Sequence, residues 1–150
     1  IGIVAILLAI TCWFFIKSNP AFFKGAAIPL LAIGLIQSVV GYTVYARSDK
    51  QRTDIAYNIG MEPVAFAKHT EMPRMKKVMA NFVIYRWVEI VFILTGLVLI
   101  FMFRSNPGRT FWVGLGAALA IQAAIMLGAD YFAEKRGKIY SKALEEIIGG

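Results

Sequence analysis

The sequence predicts an all-α integral membrane protein of four transmembrane helices, built as two tandem helical hairpins of the same orientation with amphipathic cytoplasmic extensions. Three observations carry this. Apolar residues gather into four blocks of spanning length, basic residues collect in alternate connections, and a Ser-Asn-Pro turn occurs twice.

Hydrophobic residues make up 59% of the 150 positions, against roughly 45–50% in ordinary soluble domains. The excess lies in Ile1–Ile16, Gly25–Ala46, Val78–Phe103 and Thr110–Ala133. Each block approaches the ~20 residues that cross a ~30 Å hydrocarbon core as helix. None shows the short alternating pattern of a membrane β-strand, and in lipid a helix satisfies its own backbone amides. The first block begins at Ile1 rather than at a methionine, so the first helix is expected to be longer than it looks. A cleaved signal peptide is disfavoured, because no small-residue cleavage site precedes Ser18-Asn19-Pro20. Cys12, the one cysteine, reads as a small apolar residue of this block.

Ser18-Asn19-Pro20 closes the first hairpin (1–46), and Ser105-Asn106-Pro107 closes the second (78–133) at an offset of 87. At the same offset Ile3, Val4, Ile6, Leu7 and Phe14 match Ile90, Val91, Ile93, Leu94 and Phe101. Gln37 matches Gln122 only at 85, so the register slips. Proline pushes the preceding asparagine out of helical conformation. Each asparagine is then placed to cap the next helix, with proline in the first turn, where no amide is needed.

The net charge of +7 has a topological cause. Arg47, Lys50, Arg52, Lys68, Arg74, Lys76 and Lys77 lie in the 47–77 connection, and Lys135, Arg136, Lys138 and Lys142 in the 134–150 tail. Only Lys17, Lys24, Arg104 and Arg109 flank the opposite ends. The positive-inside rule puts the connection, the tail and both termini in the cytoplasm. Basic residues there also face an anionic leaflet, so the lipid bilayer accounts for the charge and no nucleic acid is needed. A bacterial cytoplasmic (inner) membrane is the expected location.

The 47–77 connection is long enough to require structure of its own. Thr53-Asp54 is read as the cap of a short helix to about Gly60, interrupted at Pro63. Thr70 and Pro73 mark the start of the third helix ahead of the membrane. Met75, Val78, Met79 and Phe82 form one face of that overhang, expected to rest on headgroups. In the tail, Ile139, Tyr140, Ala143, Leu144, Ile147 and Ile148 recur at helical spacing and must cover lipid, the connection or another subunit. Gly137 weakens that helix.

Polar residues within the blocks are the candidate site. Counted at 1.5 Å per residue from the outer charges, Gln37 and Gln122 lie at roughly 20 Å, Glu89 at roughly 22 Å, Arg86 at roughly 27 Å and Asp130 at roughly 31 Å. Gln37, Glu89 and Gln122 thus share a depth, with Arg86 and Asp130 nearer the cytoplasm. Intramembrane charge points first to function, here a proton or cation site with Glu89 titrating. The preferred reading is structural, an ion pair from Arg86 to Glu89 or Asp130 that fixes helix packing. His69 is the one histidine, and no phosphate loop, catalytic triad or Cys-x-x-Cys is present. No metal site and no cofactor is expected.

Gly116, Ala120, Ala124 and Gly128 form a small-residue stripe on the fourth helix, a face for close helix contact. Gln122 lies 200° from Ala120 on the opposite side. The stripe is expected to meet another chain. The pattern therefore points to a non-enzymatic accessory or structural subunit of a larger inner-membrane complex, with other membrane subunits or further copies as partners. The alternative is a small homo-oligomeric proton- or cation-coupled transporter or channel using Glu89. Topology is directly testable in a chain whose Cys12 is replaced by serine. Cysteines at Ser18 and Ser105 are expected to react with an impermeant reagent from outside, and one at Ser141 is not; the reverse pattern inverts the orientation.

Overall fold

The computed structural model describes residues 1–149, which are helical almost throughout, with no strand among them. Helix α1 (Gly2–Phe14) is followed by α2 (Pro20–Met61), α3 (Pro63–Phe66), a π-helical turn at Ala67–Glu71, α4 (Met72–Phe103), a 3-10 turn at Pro107–Arg109 and α5 (Thr110–Gly149). Three helical stretches, Pro20–Met61, Pro63–Phe103 and Pro107–Gly149, are long and apolar enough to cross a membrane. Their large apolar side chains face outward: Ile36 is 64% exposed, Val39 67% and Ile121 63%. This is the make-up of a membrane protein, since a soluble chain rarely leaves so large a contiguous apolar surface. The 13 residues of α1 are apolar too, and at 1.5 Å each they cover about 20 Å.

The repeated turns work as their asparagines require. Asn19 Oδ1 accepts from the Phe22 amide at 3.4 Å, and Asn106 Oδ1 accepts from the Gly108 amide at 3.1 Å. Thr110 Oγ1 also donates to Asn19 Oδ1 at 3.5 Å, joining one turn to the start of α5. Next to the turns, cations stand over rings: Lys24 over Trp13 at 5.9 Å, Arg104 over Phe101 at 5.2 Å and Arg109 over Phe103 at 5.4 Å. Such an aromatic and basic rim suits a membrane boundary.

By its contacts the chain forms two units, one of Ile1–Val44 with Val88–Met126, the other of Tyr45–Trp87 with the chain from Leu127. In the first, helices meet through residues with little or no side chain. A Cβ on Gly2 would come within 2.6 Å of Ser38 Oγ, which binds α1 to α2. A Cβ on Gly114 would meet the Phe22 carbonyl carbon at 2.8 Å, and one on Gly25 would meet that of Phe111 at 2.9 Å, so α2 and α5 touch backbone to backbone. On the other flank of α5, a Cβ on Gly96 would meet Ala120 Cβ at 2.8 Å, and one on Gly116 would meet Leu99 Cβ at 2.9 Å. Helix α5 therefore lies between α2 and α4.

This placement corrects the expected outward stripe. Gly116 and Ala120 face Gly96 of α4, while Ala124 and Gly128 are exposed and a Cβ on Gly128 would meet nothing within 4 Å. A stripe that follows every fourth residue drifts about 40° per step, so its two ends need not face the same neighbour.

The second unit holds a small core of Ala67, Met75 and Leu144, with Met72, Tyr140, Ile147 and Ile148 packed on it. Met75 is thus buried under the α5 extension rather than resting on headgroups, and Tyr140, Leu144, Ile147 and Ile148 of the tail stripe cover their own chain, while Ile139 and Ala143 are exposed. Gly137 does not break α5; a Cβ there would stand 3.1 Å from Met79 Sδ, so the glycine admits α4. The separate short helix expected near residues 53–60 is instead the far end of α2. Thr53 Oγ1 donates to the Asp49 carbonyl at 3.0 Å inside that helix, and so caps nothing.

The glycine contacts give an expected order of stability. Gly114→Val, which forces a side chain onto the Phe22 backbone, is expected to destabilise by about 1–3 kcal/mol or more. Gly41→Ala, where a Cβ would meet nothing within 4 Å, is expected to be neutral or stabilising. Unfolding in graded detergent mixtures measures both; equal losses would contradict the contact assignment.

Candidate functional site

The first unit contains Gln37, Glu89 and Gln122, and the second contains Arg86 and Asp130. Helix contacts set the levels of the first three. The Asn19–Thr110 hydrogen bond and the Gly25–Leu115 approach align α2 parallel to α5, which puts Gln37 opposite roughly residue 127. Gly96 lies between Gly116 and Ala120, so antiparallel α4 brings Glu89 opposite roughly residue 125. Together with Gln122, the three span about 8 Å of helix axis.

Two of the three are withdrawn from the surface, and Gln37 is half-buried. Glu89 is 1% exposed and Gln122 3%. Gln37 Oε1 and both amide atoms of Gln122 are buried with no hydrogen bond among the described residues. Glu89 precedes Gly96 by seven residues, two turns, and shares its α5-facing side. Gln122 follows Ala118 by one turn, on the α5 flank that meets α2. A buried amide without a partner costs on the order of 1–3 kcal/mol, so these positions are not optimised for stability alone.

The second unit treats its charges differently. Arg86 Nη2 donates to Glu134 Oε2, and Lys138 Nζ lies 2.7 Å from Glu134 Oε1. The structure gives Arg86 an ion pair with Glu134, one turn beyond Asp130. Glu134 follows Ala133, where the fourth apolar block ends, and so lies just outside the run in which a charge stands out. Its one sequence signal is the i,i+4 spacing to Lys138.

A second cluster was missed altogether. Glu71, in the π-helical turn, is 2% exposed. It accepts from Arg74 Nε at 2.9 Å and from Tyr140 Oη at 2.9 Å. Burial pushes the Glu71 carboxyl up, but the hydrogen bonds from Arg74 and Tyr140 and the charge of Arg74 outweigh it and hold it below its ordinary 4.5. Burial and the same hydrogen bond push the Tyr140 hydroxyl up to about 12. A one-residue expansion of the helix at 67–71 sets this geometry, and periodicity alone does not reveal it. Every hydrogen bond in the cluster is intramolecular, so its chemistry is that of a clamp between α5 and the start of α4.

Among the described residues no group of three or more His, Cys, Asp or Glu is placed to hold a metal ion. His69 is exposed in the π-helical turn. Comparison with protein-family models, with curated proteins and with solved structures finds no match to this chain.

The Glu71 cluster makes the second unit acid-sensitive. Because the folded pKa is depressed, the stability it supplies is present above about pH 4.5 and lost as pH falls through the folded value. Thermal melts are expected to be level between pH 7 and 5 and to fall below that. Glu71→Gln should lower the melt at pH 7 and flatten the acid limb; an unchanged limb would mean another group governs it.

Proposed function

We propose that the chain is a four-span protein of the bacterial cytoplasmic (inner) membrane, two tandem hairpins with both termini inside, serving as a non-enzymatic accessory or structural subunit of a larger membrane complex. One observation carries the partner reading. Ala124 and Gly128 are exposed, and a Cβ on Gly128 would meet nothing within 4 Å, whereas Gly116 and Ala120 on the same stripe are taken up by α4. A patch of bare backbone in lipid favours the close approach of another helix, since rigid small residues lose almost no side-chain entropy on contact. Both prolonged helices, α2 and α5, would present further surface to such a complex on the cytoplasmic side.

A second reading is favoured by the burial of Glu89 in a spanning helix at the level of two amides. In it, copies of the chain form a proton- or cation-coupled transporter with Glu89 as the titrating group. One set of preparations separates the readings. Mild extraction and native mass measurement are expected to find a heteromeric complex, which Ala124→Leu with Gly128→Leu should release while the helical fold persists. A complex that survives both changes removes the accessory reading. A homo-oligomer whose liposomal ion flux vanishes in Glu89→Gln supports the transporter.

A further inference from the structure

We infer that a groove lined by α1, α2 and α5 is a binding site for a neutral, membrane-dissolved lipophile bearing a ring carbonyl, of the quinone class. The inference stands apart from the accessory-subunit reading and rests on the groove itself. Its volume is about 530 Å³, within the ~300–1,000 Å³ usual for small-molecule sites. It exists because the packed faces carry small residues: Ala5 on α1, Ala26 on α2, and Gly114, Ala117 and Ala118 on α5. It follows α5 from Gly114 to Ile125, about 16 Å at helical rise, so it suits an elongated apolar molecule.

One lining side chain is polar, Gln122. It is 3% exposed, and neither its Nε2 nor its Oε1 makes a hydrogen bond among the described residues. In an apolar wall that amide is a donor and acceptor waiting for a partner, and a hydrocarbon chain supplies none. Depth selects the occupant. Gln122 lies thirteen residues beyond Arg109, roughly 20 Å into the bilayer, past the middle of a ~30 Å core. Ester carbonyls and headgroups of phospholipids stay at the interface, well short of it. A neutral molecule dissolved in the core can bring a carbonyl to that level, accept from Gln122 Nε2 and bury its chain along the small-residue floor.

The test uses the full chain in phospholipid nanodiscs and a short-chain benzoquinone carrying a photoreactive azide. Crosslinks are expected on residues 1–8 and 117–125, and unlabelled quinone should compete for them. Gln122→Leu is expected to weaken binding about tenfold, the worth of one hydrogen bond in apolar surroundings. The same change should leave the ligand-free melt unchanged or raised, because it exchanges an unsatisfied amide for hydrocarbon. Ala118→Phe should abolish labelling by filling the floor. Because it can also disturb α2–α5 packing, Ile121→Trp, at an exposed position 63% accessible, narrows the mouth independently and should reduce labelling. Crosslinks elsewhere overturn the proposal. So does Gln122→Leu binding the quinone as well as the parent does, which would make the groove a seat for acyl chains only.

Discussion

The arrangement of the first unit depends on α5 presenting bare backbone on two opposite flanks. Gly114 and Gly116 are two residues apart, which a helix turns into about 200° of separation. One therefore meets the Phe22 backbone of α2 and the other the Gly96 backbone of α4. Between helices in lipid there is no hydrophobic driving force, so close van der Waals contact over small residues has to hold them. Gly25 and Gly96 answer from the neighbouring helices, and Gly2 extends the same contact from α1 to α2 through Gly34 and Ser38. The levels of Gln37 and Glu89 beside α5 are a by-product of this register, Glu89 lying two turns from the Gly96 contact.

The two units handle polarity in opposite ways. Glu71, Arg74 and Tyr140 satisfy one another, and Glu134 is shared by Arg86 and Lys138. Such networks fix geometry where long side chains have partners within reach. In the unit of Glu89, the amides of Gln122 remain buried without that compensation. The contrast argues that polarity is retained there for something other than holding helices together.

Much of the fold was legible because its signals are local. The Asn-Pro turns announce their own caps, and spanning length is a matter of counting apolar residues. Gln122 and Glu89 were found for the same reason, a polar group standing out in an apolar run. What escaped was whatever depends on a neighbour's identity. The stripe predicted close contact correctly at Gly116 and Ala120 but assigned it to another chain, since nothing local announces Gly96 as the partner. The length of α2 was missed because charged Arg47–Arg52 reads as a loop after an apolar block, yet a helix leaving the membrane solvates those side chains without ending. Glu134 is not legible because it follows the apolar block in which a charge would stand out, and Glu71 because the π-helical turn shifts the face on which it emerges.

The close contact at Gly2 has a counterpart elsewhere in the sequence. At the offset that relates the two Ser-Asn-Pro turns, Gly2 corresponds to Glu89. In the first hairpin the position is occupied by a hydrogen atom, and the neighbouring helix closes over it with Gly34 and Ser38. In the second it carries a buried carboxyl group. The two matched positions thus serve opposite ends, Gly2 a tight seam and Glu89 a buried acid. Because the two positions carry different residues, the chain closes tightly at one of them and keeps a carboxyl group inside at the other.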